Sequence, residues 1–478
     1  MLPAAASTTS RRPIPRASSG LTMARDQLDM TPLNSRDELV AWLEAGVKSP
    51  AEFRIGTEHE KTPFTLDGHH PVPYEGARGI GALLEGMQIL LGWEPIMEGP
   101  HIIGLHDVTG GGAISLEPGG QFELSGAPLE TVHQTHAELM AHLAQVREVA
   151  TPLGIGFLGL GMTPSWSRSE IPVMPKGRYK IMTNYMPKVG RYGLDMMYRT
   201  CTVQTNLDFS SEADMVKKLR VSVALQPVAT ALFANSPFTE GKPNGFLSFR
   251  SEIWRDTDND RSGMLPWAFE DGMGFERWVD YALDVPMYFV KRGDSYIDVA
   301  GSSFRDFFDG KNDKLPGERP TLSDWANHLS TIFPEVRLKR YLEMRGADGQ
   351  PWGRLTALPA FWVGLLYDDT SLDAAWELVK GWSAEERQAL RDEVPRLGFK
   401  AKIGNRFLFE IAKDCLVLAH AGLRRRGRID ATGLDESRHL APLDRILDNG
   451  HTPAEEMLEK YNGAWRGSVE PAYDEFAF

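Results

Sequence analysis

Apolar residues recur along this chain with two spacings, every second position in some stretches and every third or fourth in others, which predict strands and helices respectively. Ser35 with Glu38 spells a capping box that opens a short helix over DELVAWLEAG, with folding beginning near Ser35. FRIGTEHEKTPF (53–64) reads as a strand, GIGALLEGMQILLGW (79–93) as a helix, and 101–125 as a β-rich block punctuated by glycine. ETVHQTHAELMAHLAQVREVA (130–150) spaces Leu139, Leu143 and Val146 for a long amphipathic helix. RTCTVQTNLDF (199–209) alternates as a strand, and Ser211 caps another long helix reaching about Phe233. NGFLSFRSEIW (244–254) and RLKRYLEMRG (337–346) read as two more strands; beyond 358 the chain is almost entirely helical. GIGFLGLG (154–161) matches a loose G-x-G-x-x-G, but it follows a helix and runs into Pro164, so it reads as a glycine-spaced strand. Strands and helices are interspersed without βαβ regularity, which predicts an α+β fold on a largely antiparallel sheet.

Residues two apart share a face of a strand. Glu58 and Glu60 therefore lie together on the first. In AISLEPGGQFELSG (113–126), Pro118-Gly119-Gly120 suits a three-residue hairpin loop that pairs Glu117 with Gln121. Ser115, Glu117, Gln121 and Glu123 then line one face, opposite Ile114, Leu116, Phe122 and Leu124. The same rule groups Thr202, Gln204 and Asn206; Ser248, Arg250 and Glu252; and Tyr341, Glu343 and Arg345. One wet face is the ordinary antiparallel design, so each pattern alone carries little. Five glutamates recurring beside small residues and glycine are harder to explain that way. Were the strands neighbours, each like-charge pair at ~5 Å would cost about 3 kcal/mol at an effective dielectric near 20. Divalent cations remove that cost. A set of hard oxygen ligands without His or Cys points to Mg²⁺ or Mn²⁺, and Mg²⁺ commonly shares its shell with nucleotide phosphates.

Composition narrows the field. The 478 residues are 42% hydrophobic, enough for a large core, and the net charge of −13 argues against a nucleic-acid partner. No apolar run approaches the ~20 residues of a membrane span. Two cysteines, Cys201 and Cys415, make neither a disulfide framework nor a zinc site; both read as buried structural thiols suited to a reducing, cytoplasmic setting. The first 25 residues carry Arg and Ser and no acid, which resembles an organellar transit peptide. The reading preferred here is an unstructured tail over 1–34, with Met23 as an alternative start, followed by one domain over 35–478.

These stretches resemble a known family, the glutamate–cysteine ligases of plants and many proteobacteria. RIGTEHEKTPF, SLEPGGQFELSGAP, MPKGRYKIMTNYMPKVG, LDMMYRTCTVQTNLDFSSEADM, ALQPVATALFANSPFTEGKPNGFLS, TIFPEVRLKRYLEMRGADG and LPAFWVGLLYDD all look like its signature blocks. The resemblance implies a curved, mainly antiparallel sheet forming a funnel with helices around it, similar to glutamine synthetase. It implies ATP-dependent ligation of L-glutamate to L-cysteine through a γ-glutamyl phosphate. Glu58, Glu60, Glu117, Glu123 and Glu343 would hold two or three Mg²⁺ (or Mn²⁺) ions, and Arg345 beside Glu343 would neutralise the transferred phosphoryl group. Arg250, Trp254 and Arg255 are candidates for substrate carboxylates, with Gln204 and Asn206 as neutral hydrogen-bonding partners of glutamate. Lys176, Arg178 and Lys180, in what reads as a Pro/Gly-punctuated loop, are candidates for nucleotide contact, with a solvated basic loop as the other reading. The positions of two regulatory plant disulfides appear here as His136, Thr356, Ala300 and Lys314, so both clips are absent, and a monomer or a homodimer without disulfides is expected. A related ligase with another amine acceptor, and a non-catalytic nucleotide or glutamate sensor, remain as alternatives.

Overall fold

The computed structural model describes residues 29–478. The transit-peptide question at residues 1–25 lies outside them. Residues 29–34, expected in the tail, instead run against 320–323: Leu33 N–H donates to Pro320 O (2.9 Å), Leu322 N–H to Thr31 O (2.9 Å), and Leu33 is buried. The first helix, α1 (Arg36–Glu44), starts where expected, but Ser35 makes no side-chain cap; Glu38 accepts from Asn34 N–H instead (3.0 Å).

Among the described residues one nine-stranded sheet organises the molecule. Its strands are β1 (Ile55–Thr65), β2 (Glu94–Glu98), β3 (His101–His106), β4 (Ala113–Leu116), β5 (Phe122–Ser125), β6 (Ile155–Leu158), β7 (Thr202–Leu207), β8 (Val336–Leu338) and β9 (Leu342–Asp348). Their order is β8-β9-β7-β1-β5-β4-β3-β2, with β6 on the far end of β1, and every pairing is antiparallel. The fold is therefore α+β, as the patterning predicts. β1 sits near the centre because it is long enough for three partners: β7 along 55–59, β5 along 58–61 and β6 along 62–65.

One face of the sheet is apolar and covered by helices. Val203, Leu124, Phe122, Leu342 and Met344 point into it and join one large core. α2 (Ile80–Leu91), α3 (Val132–Leu153) and the long helix Glu212–Leu232 pack there. Ser211 caps that last helix, accepting from Asp214 N–H, as expected. No helix among the described residues is long and apolar enough to cross a membrane.

Two expected strands fold otherwise. Residues 244–254 hold a helical turn, Phe249–Ile253, because Ser248 caps it: Ser248 Oγ accepts from Ser251 N–H (3.1 Å) and donates to Asp348 (2.7 Å). A serine able to satisfy a helix N-terminus outweighs a short period-two pattern. RLKRYLEMRG is a hairpin, not one strand, with a turn over 339–341 that places Arg337 opposite Glu343. The loop expected at MPKGRYK opens a helix at Gly177.

Candidate active site

The opposite face of the sheet is polar and forms the floor of a cleft. Cross-strand register sets Glu60 directly opposite Glu123, Glu58 opposite both Ser125 and Gln204, and Asn206 opposite Glu343. Glu117 stands at the hairpin corner, where its N–H donates to Gln121 O (2.9 Å) and Gly120 takes φ of +90°. A side chain at Gly119 would collide with Tyr198 O at 2.4 Å, so this corner requires glycine. Acids from three strands and one hairpin corner thus converge on one surface.

They converge in two different ways. Glu343 is buried and ion-paired: Arg337 binds it through Nη2 at 2.7 and 2.9 Å, Lys339 approaches at 3.5 Å, and Arg345 Nη1 also donates to it. Burial alone would raise its pKa; the three cations instead hold it well below the usual carboxylate range. Glu58, Glu60, Glu117 and Glu123 have no Lys, Arg or His within ion-pair distance among the described residues. Burial, then repulsion from Glu117, pushes Glu60 up to about 8, against the opposing pull of Arg250 and of Thr202 N–H (3.0 Å). Burial, then Glu117, Glu58 and Glu60, pushes Glu123 well above its ordinary value, although Ser115 and Ser125 hydroxyls donate to it at 3.1 and 2.9 Å. Glu58 is raised too, by burial and then Glu343, while Asn206 Nδ2 donates to it at 2.8 Å. An antiparallel sheet that places Glu60 against Glu123 with no cation between them is built at a cost in repulsion.

The cleft over this floor is lined by Glu60, Glu117, Arg178, Gln204, Arg250, Trp254 and Arg345, all singled out from sequence. Arg345 is aimed into it by a β-bulge between Met344 and Ala347, with Gly346 N–H held by Gln226 (3.0 Å). Its guanidinium donates to Gln204 (2.9 Å) and lies over Trp254 and Phe333 at 5.8 and 5.5 Å. Arg250, buried, donates to the backbone carbonyl of Arg345 (3.1 Å), and both side chains line the cleft.

Seven candidates do not line the cleft: Glu58, Glu123 and Glu343, whose settings are given above, and Arg255, Asn206, Lys176 and Lys180. Arg255 points outward and pairs with Glu252 (2.7 Å) and Asp392 (2.9 Å), because the helical turn before it rotates its side chain off the cleft. Asn206 is engaged by Glu58 and does not line the cleft. Lys176 is buried behind the hairpin, within reach of Leu116 O (3.4 Å) and Tyr179 OH (3.3 Å). Lys180 is exposed on the helix that starts at Gly177. Sequence reasoning missed Arg337, Lys339 and Tyr179, whose hydroxyl reaches Glu117 (3.1 Å). The R-x-K spacing of residues 337 and 339 was visible, but only the hairpin turn brings them onto Glu343.

The donor set suits a hard divalent cation: clustered carboxylates, without ion-pair partners among the described residues, on a polar wall. Among the described residues no three of them already close on one point, so phosphate or water oxygens would complete any shell. Glu343, saturated by Arg337, Lys339 and Arg345, does not fit as a ligand and instead anchors Arg345. Cys201 and Cys415 are buried, Cys201 beside Thr62 (3.2 Å), and burial pushes both thiols up. At the former clip positions His136 contacts Thr356 (2.9 Å) and Lys314 donates to Ala300 O (3.3 Å).

The antiparallel sheet with its helices shares its fold with the glutamate–cysteine ligase of Francisella tularensis solved in complex with AMP, at a TM-score of 0.52 and 14% identity over 94% of this chain and 90% of that one. The chain belongs to the glutamate–cysteine ligase family 2, whose family model matches residues 54–475. It is 59% identical over 444 residues to the chloroplastic glutamate–cysteine ligase of Nicotiana tabacum, covering 93% of this chain and 83% of that protein. With chloroplastic glutamate–cysteine ligase B of Oryza sativa subsp. japonica it shares 56% over 453 residues, 95% of this chain and 89% of that protein. Those chloroplastic names overturn the cytoplasmic placement expected from cysteine usage: two buried thiols report on packing and carry no address.

Proposed function

We propose that this cleft joins the γ-carboxylate of L-glutamate to the amine of L-cysteine with cleavage of ATP, giving γ-glutamylcysteine, ADP and phosphate, the first step of glutathione synthesis. The observation that carries the reading is the group of acids, Glu58, Glu60, Glu117 and Glu123, without ion-pair partners among the described residues, beside two guanidinium groups in a protein of this family. Glu60, Glu117 and Glu123, with Glu58 behind them, would hold Mg²⁺ or Mn²⁺, two or three ions in number, which when bound screens the triphosphate and offsets the acids' mutual repulsion.

The chain's own residues do the rest. Arg250, with Trp254 packed beside it at 6.0 Å, presents a planar fork to a substrate carboxylate. Arg345 meets the phosphoryl group in flight to the γ-carboxylate and then the tetrahedral centre formed when the cysteine amine displaces phosphate. Glu343 keeps that guanidinium in place while Gln204 orients it from the other side. Arg178, at the rim, takes a nucleotide phosphate. Residues 35–478 act as one catalytic domain, and with both cysteines buried any dimer forms without a disulfide. The relatives' names favour a plastid address.

Incubation with glutamate, cysteine and Mg-ATP, followed by mass spectrometry, tests the reaction. γ-Glutamylcysteine with stoichiometric phosphate is the expected outcome. Product with another amine and none with cysteine, or ATP bound without phosphate release, would sink it.

A further inference from the structure

The helix Glu212–Leu232 is buried along most of its length, and Gln226 sits fully buried among Val223, Leu225 and Val228. Only one end of its amide is satisfied. Oε1 accepts from Gly346 N–H (3.0 Å), while Nε2 has no partner among the described residues. The orientation is dictated, since only an acceptor can face an N–H. A buried amide with an orphaned NH₂ costs stability that methionine or leucine at this place would avoid, so its use here needs a reason.

Gly346 supplies that reason. Met344 pairs with Thr205 and Ala347 with Val203, so Arg345 and Gly346 together stand opposite Gln204 alone. A bulge of this kind takes backbone groups out of the strand ladder. The helix replaces the lost partners from two side chains four residues apart, which share one of its faces. Gln226 takes the N–H of Gly346, and Thr230 Oγ1, also buried, donates to the carbonyl of Gly346 (3.3 Å). At the preceding residue, Arg345 N–H donates to Glu335 O (3.1 Å) and Arg250 donates to Arg345 O (3.1 Å). All four backbone polar groups of Arg345 and Gly346 thus have partners, and two of those partners come from this helix. The fit leaves no slack: a Cβ at Gly346 would collide with Gln226 Oε1.

We propose that Gln226 and Thr230 are positioning residues for the ligation reaction, clamping the bulge at Gly346 and so setting the direction from which the Arg345 guanidinium enters the cleft. The inference rests on the ligation reading, in which Arg345 meets the phosphoryl group. Neither Gln226 nor Thr230 lines the cleft, so their influence on turnover passes through Arg345. A misplacement of ~1 Å at a reacting group costs on the order of a hundredfold in rate, which makes such a clamp consequential.

Steady-state kinetics on a double-mutant cycle between Gln226→Met and Arg345→Lys test this. Gln226→Met keeps the side chain's bulk and removes the acceptor. Its kcat should fall at least tenfold, with KM for glutamate within twofold of wild type. In the Arg345→Lys background the same change should alter kcat less than twofold, because no fork is left to aim. A merely structural role would cost the same factor in both backgrounds. Thr230→Val should lower kcat at least threefold, and Thr230→Ser, which keeps the hydroxyl, should return it to within twofold of wild type. If a thermal melt shows Gln226→Met unfolded, Thr230→Val in the same cycle decides. Wild-type kcat in Gln226→Met and Thr230→Val, or equal losses in both backgrounds, would overturn the proposal. No product from the wild-type protein would defeat the ligation reading and this inference with it; product from wild type with the variants unmoved would defeat this inference alone.

Discussion

Glu343 and Glu60 lie on one face of one sheet, two strands apart, and their surroundings are opposite. Glu343 has three cations and is pulled below its ordinary pKa; Glu60 faces Glu123 and Glu117 and is pushed up to about 8. The first is a finished ion-pair network whose charge is spent inside the protein. The second has no ion-pair partner among the described residues, and a cation from outside would relieve its repulsion. Counting acids along strands treats the two alike. Their partners separate a residue that holds the machinery in place from residues that hold a ligand.

Removing charge from each group should therefore have opposite consequences. The largest effect is expected for Glu343→Gln, which leaves Arg337, Lys339 and Arg345 crowded without a counter-charge. Breaking a buried network from one side costs roughly 3–5 kcal/mol, read as a lower midpoint in urea unfolding; an unchanged midpoint would mean the network is dispensable. Glu117→Gln should fold normally and lose at least about a hundredfold in kcat, since even residues behind a metal ligand cost 10–100-fold. Arg345→Lys should follow, with kcat down roughly tenfold or more and KM for glutamate little changed, because a point charge cannot reproduce the fork that meets Gln204 and substrate together. Wild-type turnover in either variant would remove that residue from the mechanism.

Smaller effects sharpen the contrast. Glu60 binds a proton in the metal-free folded state up to about pH 8, but only to its ordinary value, 4.5, when unfolded. The folded state thus holds more protons between those values, so its stability is greatest below about 4.5 and declines as pH rises towards 8. Thermal melts in chelator should show that decline, and Glu60→Gln should flatten it; an identical slope in the variant would contradict the assignment. The smallest effect is expected from oxidant. With Cys201 and Cys415 buried and the clip positions held by His136–Thr356 and Lys314–Ala300 contacts, activity should not change on oxidation or reduction. A several-fold loss reversed by dithiol would count against this.

Much of this was legible before any coordinates. Alternation in 55–65, 113–125 and 202–207 assigned the acids to one face and Leu124, Val203 and Phe122 to the other, because a strand with one buried face tolerates no slip in register. The Pro-Gly-Gly corner placed Glu117 opposite Gln121 through turn chemistry alone. Most of what stayed hidden depends on contacts distant in sequence. Ser248 turns its segment into a helix because Asp348 and Pro395 wait for it 100 or more residues away, and that turn swings Arg255 out to Asp392. By contrast, what separates Glu343 from Glu60 is near in sequence but invisible to alternation: a tight hairpin folds Arg337 and Lys339, six and four residues earlier, back onto Glu343. The N–H of Gly177, which donates to Glu98 at 2.5 Å as MPKGRYK becomes a helix, belongs with the distant contacts.

The most direct test of the central claim is calorimetric titration of Mg²⁺ with a non-hydrolysable ATP analogue into the wild-type protein, Glu60→Gln and Glu117→Gln. Both variants should bind the metal–nucleotide at least tenfold more weakly than wild type while melting at the same temperature or higher. Equal affinity in all three proteins would contradict the account.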